Sequence, residues 1–132
     1  MYRLLSLTFS AAFALAGLLF LLLPAAVIHF FNGLSPALGM TPSPETGTEF
    51  YIALAVGYMY LVTVIAYMMY RHPSEKIFPL LLTNGKISTA LLSAILFAAQ
   101  GHYLIYVVNT VVDAGIALAA IHFYLKLRRA HA

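Results

Sequence analysis

The chain has 132 residues, 63% of them hydrophobic and 8% charged, with a mean hydropathy of +0.93, whereas soluble domains carry about 25% charged residues. So few charges cannot furnish the polar surface of a water-soluble domain, but a bilayer accepts apolar side chains on the outside of a helix bundle. The net charge of +3 is dispersed among segment ends rather than clustered, so it points to membrane orientation and away from a nucleic-acid partner.

A bilayer core of about 30 Å needs roughly 20 apolar residues in a helix, and four segments qualify. The first runs from Leu4 to Ile28. Its opening, "MYRLLSLTFSAAFALAGLLFLLLPAA", has the basic residue and small-residue end of a secretory signal, but its apolar run outlasts the usual signal core, so an uncleaved membrane helix is expected. Pro24 removes a backbone donor and should kink or end that helix. Residues 29–49 follow as an outer loop rich in Gly, Pro, Ser and Thr, expected to be extended and turn-filled. The remaining segments are Phe50 to Tyr70, Ile77 to Ala99 and Tyr103 to Leu125, joined by short turns that make them antiparallel neighbours. The expected fold is an all-α membrane protein: one transmembrane domain over residues 1–132, folded as a four-helix bundle.

Basic residues indicate orientation. Arg3, Arg71, Lys76, Lys126, Arg128 and Arg129 all fall on one side, while the 29–49 loop holds Glu45 and Glu49 without Lys or Arg. The positive-inside rule then puts both termini in the cytoplasm, and a bacterial inner membrane suits so compact a multi-pass chain.

Helical spacing suggests which faces look inward. In the first segment Ser6, Ser10, Ala14 and Gly17 form a stripe of small residues that lets helix backbones approach closely in lipid. The second aligns Tyr60, Thr63, Tyr67 and Tyr70. Tyr70 lies beside Arg71 at the interface, while the hydroxyls of Tyr60 and Tyr67 are deeper and should turn into the bundle to find partners. The third places Lys86, Thr89, Ala90 and Ser93 on one face. The fourth stacks Asn109 on Asp113, followed by Ala117 and Ala120.

Lys86 is the anomaly. A charge near the bilayer centre costs on the order of 3 kcal/mol, so it needs a partner, water or the interface. Counting 1.5 Å per residue, Lys86 lies roughly 13 Å in from Ile77 and Asp113 roughly 19 Å in from Lys126, a difference that a lysine stem can span. Asp113 is the sole acidic residue in the four segments. The expectation is a buried Lys86 to Asp113 pair with Asn109 and Asn84 as hydrogen-bonding neighbours. The competing reading starts the third helix near Asn84, because of Pro79 and the Asn84-Gly85 pair, and lets Lys86 snorkel to the headgroups.

Cysteine is absent, which excludes disulfides, thiolate metal sites, iron–sulfur clusters and cysteine nucleophiles. Four of the five histidines can be drawn as bis-imidazole haem pairs, His29 with His102 and His72 with His122. However, His102 and His122 are roughly 30 Å apart along one helix, which sends the ligands to the interfaces. No metal site or cofactor is therefore predicted, with haem on these histidines and a bound quinone kept as the less favoured alternatives. No GxSxG or HExxH pattern occurs, and no histidine is placed at the depth of Ser88, Ser93 or Asp113, so no catalytic residue is assigned.

With no catalytic constellation and long aliphatic and aromatic helix faces, the sequence reads as a small accessory or scaffold subunit of a larger membrane complex. Its expected partners are lipids and other membrane subunits or a second copy. The alternative is a small transporter or a lipid- or quinone-binding membrane protein whose midplane polar site holds Lys86, Asp113, Asn109, Asn84, Tyr60 and Tyr67.

Overall fold

The computed structural model describes residues 2–130, apart from the side chains of Glu49, Phe50 and Ala130. Among the described residues the chain is helical, in the order α1 (Tyr2–Leu22), α2 (Pro24–Leu34), a 3-10 turn (Pro36–Leu38), α3 (Glu49–Arg71), α4 (Ile77–Ala99) and α5 (Leu104–Ala130). Four of these, α1, α3, α4 and α5, are long and apolar enough to cross a membrane, which by length and composition makes this a multi-pass membrane protein.

The first apolar run is two helices rather than one. Pro24 has no N–H to continue the ladder, and Leu23 before it leaves the helical region at φ −133° and ψ 48°. Pro24 then serves as the first residue of α2, where a missing donor costs nothing. Helix α2 also takes over the start of the expected loop, residues 29–34. The reason is local: Val27, Ile28, Phe31 and Leu34 repeat at helical spacing, and Ile28 buries its side chain. Gly39, at φ 66°, supplies the left-handed residue that ends the following turn. The remaining loop is tied down at two points. Asn32 of α2 bonds both the backbone N–H and the carbonyl of Ser43, at 2.7 and 2.9 Å, and Thr41 donates its N–H to the carbonyl of His102, at 3.2 Å.

Helix α4 begins at Ile77 and runs unbroken past Asn84 and Gly85, so the late start near Asn84 does not occur. Pro79 falls in the first turn, where backbone N–H groups have no intrahelical partner, and it is tolerated there.

Two close pairs build the bundle, α1 along α3 and α4 along α5, with fewer contacts between α3 and α4. The first pair depends on small residues. Ser6, Ser10 and Gly17 are buried on one stripe, joined by Phe13 rather than by Ala14, which is exposed. The hydroxyl of Ser10 donates to the carbonyl of Thr63 across the pair at 3.1 Å. A side chain at Gly17 would bring its Cβ to 3.1 Å from the Cβ of Met59, so α1 and α3 meet there almost backbone to backbone. The two pairs join through a core of Phe13, Val62, Ala66, Met69, Leu82, Ala120 and Phe123. At the end of the bundle where α1 begins and α3 finishes, the Arg3 guanidinium lies 4.9 Å from the Tyr70 ring centroid. This is the basic end, opposite the end formed by α2 and its loop.

Gly17→Leu is expected to force α1 and α3 apart, lowering stability by about 1–3 kcal/mol as overpacking does. Gly57→Ala, where an added methyl meets nothing within 4 Å, should be neutral. Denaturant titration in mixed micelles, followed by circular dichroism, distinguishes the two.

Candidate functional site: a buried ion pair between the helix pairs

Lys86 projects from the middle of α4 and is 1% exposed, while Asp113 on α5 is 2% exposed. The lysine Nζ donates to Asp113 Oδ1 at 2.8 Å, and the hydroxyl of Thr89, one turn further along α4, donates to Asp113 Oδ2. Both carboxylate oxygens therefore have a donor from α4. The ammonium is enclosed by aromatic faces as well, with the ring centroid of Phe13 on α1 4.6 Å away and that of Tyr58 on α3 5.1 Å away. Each ring offers the negative face of its quadrupole, which stabilises a desolvated cation where water cannot.

Thus all four spanning helices contribute to one charge centre, and α4 is the element that reaches across. Its inward stripe continues through Ala90 and Ser93, both buried. Asn109 on α5 donates its amide N–H to the Ser93 hydroxyl at 2.6 Å. Between these rungs, Thr110 donates to its own helix at the Tyr106 carbonyl, 2.8 Å away, and lies 3.4 Å from the Ala90 carbonyl. Hydroxyl and amide groups of this kind hold helices together in lipid.

Three of the residues expected in this seam stand elsewhere. Asn84 is exposed and its carbonyl accepts the hydroxyl of Ser88, because two residues of helix separate it from Lys86 by about 200°. Tyr60 is 73% exposed and Tyr67 42% exposed. The buried face of α3 carries Val62, Ala66 and Met69, which sets Tyr60 on the opposite side and brings Tyr58 to the lysine instead. The hydroxyl of Tyr58 is itself buried, directed at Thr89 within electrostatic reach of Asp113, but forms no hydrogen bond of good geometry. Gly85, beside Lys86, leaves room for that hydroxyl, since a Cβ there would lie 3.4 Å from it.

Thr89 stands where its place on the Lys86 face put it, whereas Tyr58 and Phe13 are the members that the sequence left out of the expected site. Phe13 shares the helical phase of Ser6, Ser10 and Gly17, which was a usable signal. Tyr58 had none of comparable strength, because three other tyrosines on α3 formed an equally regular stripe on the wrong face.

The histidines lie apart from this centre. His29, His72, His102 and His122 are all exposed. His29 Nδ1 is 3.5 Å from the Glu45 carboxylate at the loop end, His102 packs edge-on to Phe97 with centroids 4.8 Å apart, and His72 lies 6.1 Å from Phe78. The side chain of Glu49, expected near Glu45, lies outside the described residues. Among the described residues no three His, Asp or Glu side chains converge as metal ligands would.

Removing one partner of a buried pair leaves an uncompensated charge, so Lys86→Met or Asp113→Leu alone should each cost about 3–5 kcal/mol, and the double variant should recover most of that loss. Thr89→Val should cost about 1 kcal/mol by deleting one hydrogen bond. Unfolding midpoints of the four variants, measured in one lipid–detergent mixture, provide the check. Comparison with protein-family models, with curated proteins and with solved structures returns no match to this chain, and its functional reading therefore rests on the geometry of this charge centre and of the surfaces around it.

Proposed function

We propose that the chain is a small integral-membrane accessory or scaffold subunit of a larger membrane assembly, with both termini in the cytoplasm of a bacterial cell. The observation that carries this reading is the closure of the ion pair. Lys86 and Asp113 are enclosed and bonded by residues of their own chain, as a structural tie would be, whereas a transported ion or a catalytic substrate needs an open coordination position.

The outer surface supports the same reading. Leu15, Leu54, Leu61, Leu91, Leu118 and others expose apolar side chains along all four spanning helices, and lipid or a partner helix can cover them equally well. A shallow apolar depression of about 390 Å³ lies where α1 breaks into α2, lined by Leu19, Phe20, Val27 and Phe31 among others. Its walls are suited to an apolar helix face or a lipid chain. The basic residues gathered at one end support the orientation, since translocation disfavours them.

Extraction from native membrane into nanodiscs, followed by native mass spectrometry, tests the proposal. Defined protein partners at fixed stoichiometry are expected. A chain that travels alone with a stoichiometric lipid or quinone-like molecule would overturn the subunit reading in favour of the ligand-binding alternative.

A further inference from the structure

Helix α4 has a second regular face. Ile77, Leu81, Asn84, Ser88, Leu91 and Ile95 are all exposed, and they recur along the helix at alternating steps of four and three residues. At 3.6 residues per turn they fall within an arc of about 80°. The buried residues of α4, among them Leu82, Lys86, Ala90 and Ser93, occupy the opposite side, which packs against α5 and α3. Alternation of four and three is the spacing of a seam along which two helices pack side by side.

One member of this face is out of place in lipid. Asn84 lies roughly 10 Å along α4 from its start at Ile77. Its side chain is too short to reach the headgroups from there as a lysine can. The backbone carbonyl of Asn84 accepts the Ser88 hydroxyl at 2.9 Å, whereas its side-chain amide has no partner among the described residues. An amide left bare in hydrocarbon is costly. A carboxamide is also self-complementary, since its nitrogen donates and its oxygen accepts, so a second amide at the same depth satisfies both ends.

We infer that two copies of the chain associate through this face of α4, with the Asn84 amides bonded to each other across the seam. Copies inserted in one orientation carry α4 in parallel and at equal depth. A two-fold axis along the membrane normal then sets each seam residue against its own counterpart, which is how an isologous contact is built. A polar residue in such a seam fixes register and the number of strands, while the aliphatic residues on either side supply the packing. A purely apolar partner helix would leave the amide bare, and this selects a second copy as the occupant. The inference rests on α4 alone and holds whether or not further subunits join the assembly.

The chain contains no cysteine, so single cysteines report on the seam without background. Leu91→Cys on the seam and Leu118→Cys on α5 replace side chains that are 60% and 70% exposed. Each full-length variant is oxidised with copper phenanthroline in membranes of expressing cells, where all copies share one orientation. Leu91→Cys should form a disulfide-linked dimer at least about tenfold faster, because only the seam holds two thiols within bonding distance. Sedimentation equilibrium in density-matched micelles then compares the parent with Asn84→Leu, whose dimer should be roughly fivefold to tenfold weaker. Asn84→Gln keeps the amide and should retain most of the affinity. The Asn84 side chain makes no bond within the bundle, so the unfolding midpoint of the monomeric Asn84→Leu variant should match the parent's. Equal cross-linking of Leu91→Cys and Leu118→Cys would overturn the interface. Unchanged affinity in Asn84→Leu would overturn the amide pair, and a parent chain that stays monomeric but binds a different protein through this face would overturn the second copy as its occupant.

Discussion

An ammonium group in the middle of a hydrocarbon slab must be compensated by the protein that carries it, and the arrangement of this bundle follows from that requirement. No single helix can compensate Lys86. Its carboxylate comes from α5, the hydroxyl that holds the carboxylate comes from α4, and the two rings over the charge come from α1 and α3. A one-turn slip of any of these helices would leave a charge or an aromatic face without its counterpart. Such a pair specifies register more than it adds stability, because the desolvation of two charges offsets much of their attraction.

Around that tie the helices use the packing available in lipid. Burying apolar surface brings little advantage when the solvent is itself apolar, so close backbone approach and interhelical hydrogen bonds take its place. The α1–α3 pair uses the first device at Gly17, where Met59 touches the bare backbone, and the second at Ser10, which bonds a carbonyl of α3. The α4–α5 pair relies on the second, through Ser93, Asn109, Thr89 and Asp113. The apolar core then fills the basic half, and α2 with its pinned loop covers the opposite end.

Much of this was legible in the residues. Spans of the right length and the segregation of basic residues follow from composition and position, because a bilayer imposes one length and one polarity on every crossing helix. The pairing of Lys86 with Asp113 was also within reach, since one lysine and one acid at similar depth leave few other ways to compensate charge. The α2 helix was not, because Gly33, Pro36 and their neighbours have the composition of a loop, while the apolar face that orders residues 27–34 becomes decisive only when Ile28 finds something to pack against.

The sequence by itself determined that this is a membrane protein with four crossing segments and a charge in its interior that needs a counter-charge. Only the tertiary structure decided which face of α3 turns inward, and with it that Tyr58 rather than Tyr60 or Tyr67 stands beside the lysine. The physical reason is that hydrophobic periodicity loses its meaning when both the interior and the surroundings are apolar. In water, a polar stripe separates inside from outside. In lipid, a tyrosine stripe and an aliphatic stripe are nearly equivalent until a neighbouring helix, approaching at Gly17 and Ser10, selects one of them.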